Sequence, residues 1–288
     1  MKFSLLLLAM TLAITVTGCT TNFAQIKKNG GDFITIASGI KDSSGLPMCI
    51  VSYDGTLIAT AVQDHTEIIE LGSGKTVKKL NIRPNHMRFS SNANKFVAMT
   101  GSDTFHFWDI DNNWDYQTFR LKWNAYGRFS LDAEGELVAV KSSDKHTYVF
   151  DSKGTIKSKL LLGDGRNYFK GTPIFVNGNT FIIDHHTNLV KVTFRGNKFK
   201  YKTIYSGEKK NKGKFDYDSY NVVLGVSRNG KFFTTGLVNP DDSKYVAGKM
   251  TKVSIRRTSD GRILWSVNID KEYHGFNTYS HDKLKISD

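Results

Sequence analysis

Turn signatures return along this chain at a period of roughly 40 to 50 residues, and no other feature narrows the possible folds as far. One series runs Tyr53-Asp-Gly-Thr56, Asn92-Ala-Asn-Lys95, Asp132-Ala-Glu-Gly135, Asn177-Gly-Asn179, Arg228-Asn-Gly-Lys231 and His281-Asp-Lys283. A second falls between its members: Gly72-Ser-Gly-Lys75, Asp111-Asn-Asn-Trp114, Ser152-Lys-Gly-Thr155, Arg195-Gly-Asn-Lys198 and Ser259-Asp-Gly-Arg262. The stretches separating them are short apolar or alternating runs such as Leu57 to Val62 and Thr66 to Leu71, with no helical period longer than a turn. Two tight turns per period, joined by a hairpin, give four antiparallel strands per unit. Such a unit cannot bury both of its faces alone. It must stack with copies of itself, and radial stacking makes an all-β propeller of four-stranded antiparallel blades.

Phe89-Ser-Ser-Asn-Ala-Asn-Lys-Phe-Val-Ala-Met-Thr-Gly-Ser-Asp-Thr-Phe-His-Phe-Trp-Asp109 resembles a WD40 repeat, with Trp108-Asp109 closing a third strand and Asp103-Thr104 in the turn before it. Phe150-Asp151 and Ile69-Glu70 stand at the matching places. The turn returns as Asp64-His-Thr66, Asp144-Lys-His-Thr147 and Asp184-His-His-Thr187. The resemblance spans about residues 48 to 288 and implies the WD40-like propeller fold, without pointing to one protein.

The first turn series has six members and the second five, so the last unit, Phe276 to Ser287, is half a blade. Phe23 to Ser38 reads as strand, Asn-Gly-Gly turn, strand, which is the missing half. Propellers close by pairing their two chain ends, because an open seam leaves a row of unsatisfied backbone groups. The expectation is six blades, the sixth shared by N- and C-terminal strands; a truncated seven- or eight-bladed chain is the alternative.

Met1-Lys2 precedes an apolar run from Phe3 to Val16, too short for a comfortable membrane span and of the form of an export signal. It ends in Val16-Thr17-Gly18-Cys19, which resembles a bacterial lipobox. The resemblance implies a signal peptide over residues 1–18, acylation of Cys19, a tether over 19–22 and a propeller over 23–288. The chain would then hang on a bacterial membrane from outside, with Thr20 favouring the outer membrane in a Gram-negative host. Cys49 is the only other cysteine, so an acylated Cys19 leaves no intramolecular disulfide to form.

The chain carries 40 Lys and Arg against 27 Asp and Glu, a formal +13, which suits anionic surroundings. Residues 191 to 214 hold nine of the cations and one acid, Glu208, interleaved with Phe194, Phe199, Tyr201 and Tyr205. Lys198, Lys200, Lys202, Lys212 and Lys214 are thus candidates for an anionic-surface patch. The competing account is that lysines on an outermost strand discourage edge-to-edge pairing. The loop from Ser206 to Tyr220 and the insertion from Asn239 to Lys249 belong to one face of the fifth unit. They offer Lys209, Lys210, Tyr217, Tyr220, Asp241, Asp242 and Tyr245 as candidate partner-binding residues.

His65, His146 and His186 occupy equivalent turns in different units, too far apart for the roughly 2.1 Å bonds of a shared metal. Ile255 to Trp265 is similar to the repeat of quinoprotein-like propellers, but occurs once. There is no sialidase box, nucleophile elbow, Walker loop or His-Glu-x-x-His. The expected function is a non-catalytic binding or scaffold module for a protein or envelope component, monomeric, with no cofactor, no metal and no nucleic acid. An envelope enzyme, a quinoprotein-like oxidoreductase or a glycan hydrolase, is the alternative. The mouth of the axial channel separates the two: inward carboxylates or a cofactor-sized cavity would favour the enzyme.

Overall fold

The computed structural model describes residues 23–27, 33–37, 49–62, 64–92, 94–161, 173–185, 188–205, 220–227, 229–239 and 249–268. These residues form a β-propeller of four-stranded antiparallel blades. Blade one comprises β3 (Cys49–Val51), β4 (Leu57–Val62), β5 (His65–Glu70) and β6 (Thr76–Leu80). Blade two is β7 (His86–Phe89), β8 (Lys95–Thr100), β9 (Thr104–Asp109) and β10 (Asp115–Arg120). Blade three is β11 (Ala125–Leu131), β12 (Leu137–Ser142), β13 (Thr147–Asp151) and β14 (Ile156–Leu160). Blade four follows as β15 (Ile174–Asn177), β16 (Thr180–His185), β17 (Asn188–Arg195) and β18 (Lys198–Tyr205). Blade five is β19 (Tyr220–Val226), β20 (Phe232–Asn239), β21 (Lys249–Arg257) and β22 (Ile263–Asn268). Trp108-Asp109, Phe150-Asp151 and Ile69-Glu70 each end a third strand, as the repeat implies.

The blade count among the described residues is five, not the expected six. β1 (Phe23–Lys27) and β2 (Phe33–Ala37) pair with each other, from Phe23↔Ala37 to Lys27↔Phe33, and make a two-stranded sheet of their own. Among the described strands none pairs with this hairpin, so it completes no blade. Residues 276–288, the other half of the expected blade, lie outside the described residues. So does Cys19.

The chain divides into two compact units, residues 1–49 with 55–83 and residues 50–54 with 84–288. In the second unit the first strands β7, β11, β15 and β19 are successive neighbours, and the fourth strands lie outermost in their sheets. The core is built between blades. Val97, Phe105 and Phe107 of blade two pack with Phe129, Val140 and Phe150 of blade three. Val149 and Leu160 meet Phe181, Val192 and Phe194 of blade four, and Ile182 and Leu189 meet Val223 and Phe233 of blade five. The second strands β4, β8 and β12 therefore bury both faces: on β8 the four residues from Phe96 to Met99 are all buried. This explains why these strands read as near-continuous apolar runs.

The turns seal the same seams. Gly230, between β19 and β20, and Gly261, between β21 and β22, both take positive φ, +68° and +74°. A Cβ at Gly230 would collide with the Val176 carbonyl oxygen of blade four, and one at Gly261 with the Ile204 carbonyl oxygen. Each glycine thus satisfies two demands at once, a left-handed backbone and close approach of the neighbouring blade. No helix among the described residues is long and apolar enough to cross a membrane.

Candidate functional site

Where the first strands of the second unit converge, their C-terminal ends enclose a cavity of about 30 Å³, lined by Tyr53, Arg88, Ser130, Phe175, Val226 and Ser227 among others. That is room for about two water molecules. No carboxylate lines it. The Arg88 Nε donates to the Phe129 carbonyl at 2.6 Å, clamping blade two to blade three. The buried Ser130 hydroxyl has no protein partner, so an ordered water is its natural one.

Among the described residues, two aspartates elsewhere are held above the usual carboxylate range. Asp132 ends the first strand of blade three, where blades two and five place Ser90 and Ser227. Its Oδ1 accepts from the Leu137 N–H at 3.0 Å, as those serines accept from Lys95 and Phe232. Burial raises its carboxyl, backbone donors at Leu137 and Glu136 oppose the rise, and the charges of Glu136 and Glu134 add to it. Asp184, on β16, is pushed up to about 6 by removal from water, opposed by its own backbone amide and the ammonium of buried Lys141. The two do not form a catalytic pair. Asp132 Oδ2 lies 3.9 Å from where a Gly178 Cβ would sit, in the turn before β16, and Asp184 lies four residues beyond the start of that strand, roughly 13 Å along it. Glycoside cleavage needs carboxyls about 5 to 9.5 Å apart.

Blade two, which carries the WD40-like segment, builds a polar network around a buried histidine. The buried His106 ring lies between the Thr100 hydroxyl and the Tyr116 hydroxyl, each 2.8 Å away, and stacks on Trp108 at 5.9 Å. Burial lowers its pKa, which favours the neutral ring. Asp103, in the β8–β9 turn, is engaged outward by Arg120 at 2.6 Å. His65 bonds Asp64 and Glu67, and His146 contacts Asp144, each within its own turn. His186 lies outside the described residues, which contain no cluster of His, Cys, Asp or Glu able to hold a metal.

Of the sequence-derived patch, Lys198, Lys200 and Lys202 lie exposed on β18. Lys212 and Lys214 lie outside the described residues, as do Lys209, Lys210, Tyr217, Asp241, Asp242 and Tyr245. Tyr220 opens β19 and pairs with Val238, while Asn239 pairs with Lys249. The ends of both blade-five connections are therefore at one end of the sheet.

The register of β17 and β18 adds two cations that the sequence reading had not joined to the patch. Lys202 lies directly opposite Lys191, Lys200 opposite Thr193 and Lys198 opposite Arg195. Cross-strand partners share a face. Lys191, Arg195, Lys198, Lys200 and Lys202 thus form one cationic face, while Val192 and Phe194 point the other way into the core. Alternation within 191–195 and 198–202 was the available signal; the hairpin register was not.

The opposite chemistry appears on β22, whose first half ends the quinoprotein-like segment Ile255 to Trp265. All six residues are exposed, including Ile263, Leu264, Trp265 and Val267.

No family model matches this chain, and no curated protein does. Among solved structures, the crystal structure of Kluyvelomyces marxianus Hsv2 is similar at a TM-score of 0.49 and 12% identity, over 77% of this chain and 65% of that one. This chain thus spans less than two thirds of that protein's length. The assignment to the propeller class rests on the blade topology.

Proposed function

We propose that this chain is a non-catalytic binding or scaffold propeller of a bacterial cell envelope, anchored to a membrane by acylated Cys19, with the outer membrane favoured in a Gram-negative host. The observation that carries the non-catalytic half is the cavity where the first strands meet: about 30 Å³, with one cation and no carboxylate among its lining residues. A redox cofactor or a sugar ring needs several hundred cubic ångströms. The separation of Asp132 from Asp184 removes the one pair of perturbed carboxylates that a hydrolase reading would use. The anchor half is supported by Val16-Thr-Gly-Cys19 behind its apolar run. Two or more acyl chains would hold the protein firmly, at about 0.8 kcal/mol for each buried methylene.

Metabolic labelling with a fatty-acid analogue tests the anchor: label enters the parent protein, and the Cys19→Ser variant is unlabelled and released from membranes. Label retained in that variant rejects acylation at Cys19. Titration of the mature protein with pyrroloquinoline quinone tests the other half, where saturable binding would turn the reading towards an oxidoreductase.

A further inference from the structure

We infer that the β17–β18 face of blade four binds the phosphate headgroups of an anionic lipid bilayer. Like charges directly opposite on neighbouring strands destabilise a sheet, yet Lys191 faces Lys202 and Arg195 faces Lys198. Among the described residues none of the five cations on this face has a carboxylate partner. Two other outer strands differ: on β10, Arg120 pairs with Asp103 at 2.6 Å, and on β14, Lys157 pairs with Asp151 at 2.9 Å.

Edge protection does not account for this face. Lysines on β18 would discourage another strand from pairing there, but β17 is hydrogen-bonded on both sides, to β16 and β18. Lys191 and Arg195 therefore protect no edge, and add only repulsion until an anion arrives. The spacing selects the kind of anion. Lys198, Lys200 and Lys202 rise along the strand by roughly 13 Å in all, with their β17 partners about 5 Å to the side. One phosphate cannot span that array; a flat field of phosphates can. The choice of a bilayer over another polyanion rests on the proposed membrane anchor; the cationic face itself does not.

The test uses the mature chain from residue 19 with Cys19→Ser, so that no acyl chain contributes, and measures binding to phosphatidylcholine vesicles with and without phosphatidylglycerol. Binding should require the anionic lipid and weaken with salt. Each cation near an anionic surface is worth about fivefold in affinity, so the Lys198, Lys200, Lys202→Gln triple variant should lose up to roughly 100-fold. A Lys191, Arg195→Gln double variant should lose roughly tenfold or more. A control that removes the same charge elsewhere, Lys75, Lys122, Lys231→Gln, should lose no more than about threefold. Equal loss in the control means that net charge alone drives binding, and overturns the inference. So does an unchanged double variant, which would return β18 to edge protection, or tighter binding of a single-stranded oligonucleotide at equal phosphate concentration. Thermal melts confirm that each variant is folded. Failure here leaves the Cys19 labelling result untouched, so the two readings fail separately.

Discussion

β18 and β22 occupy the same place in successive blades, each the fourth and outermost strand of its sheet, and they carry opposite chemistry. β18 alternates Lys198, Lys200 and Lys202 with Phe199 and Tyr201, and buries Ile204 against blade five. β22 presents Ile263, Leu264, Trp265 and Val267 to solvent and buries nothing. An outer strand has one hydrogen-bonding edge open, so its side chains decide what meets it. The cations of β18 repel a stray strand and attract an anionic surface, whereas β22 has neither defence. Topological equivalence therefore fixes backbone exposure and says nothing about what the exposed surface recognises.

The turn that leads into β22 also meets β18, which sets up the largest effect. Gly261, at φ +74° just before β22, abuts the Ile204 carbonyl of β18. Gly261→Ala should cost about 3 kcal/mol or more, from a strained φ and a collision with backbone that cannot move aside. Chemical denaturation reads it. A loss under about 1 kcal/mol would mean that the seam between these outer strands is loose and that they act independently.

The next effect separates exposed from buried charge within blade four. The cations of β18 face water, but Asp184 on β16 is held near pH 6 by its removal from water. Between the unfolded pKa near 4 and the folded value, the native protein keeps a proton that the unfolded chain releases. Stability contributed by this group is therefore present at low pH and falls as pH rises through that window. Relative to the parent, the Asp184→Asn variant should gain up to about 3 kcal/mol between pH 4 and pH 7. Unlike the surface binding of β18, this gain should be insensitive to salt. Parallel stability curves for the two proteins would place Asp184 in water.

The smallest expected change tests whether β22 is open. Trp265 is 53% exposed, so Trp265→Lys should shift stability by no more than about 0.5 kcal/mol while making β22 resemble β18. A loss of several kcal/mol, read by the same denaturation, would show that the strand is covered in solution and end the comparison.

Much of this was legible in the chain itself. Local turn chemistry is a short-range property, so Asp, Asn and Gly at two offset periods marked four strands per blade, and Trp108-Asp109 marked the end of a third strand. The lysines of residues 198–202 could be assigned to an outer strand for the same reason. Other features depend on which strands meet. The hairpin of β1 and β2 has good turn chemistry, but only long-range pairing decides whether it joins a blade, and here it pairs with itself. A one-residue slip between β17 and β18 would have turned Lys191 and Arg195 away from the lysines opposite, so the five-cation face exists only in the folded register. The removal of Asp184 from water and the exposure of Trp265 likewise come from what packs nearby, and desolvation depends on tertiary neighbours, not on the residue's own identity. Sequence alone thus determined the repeating unit and its turns, because these are set within a few residues; the charged face came from the register of one hairpin, and the blade count and the perturbed carboxylates were decided only when distant strands came together.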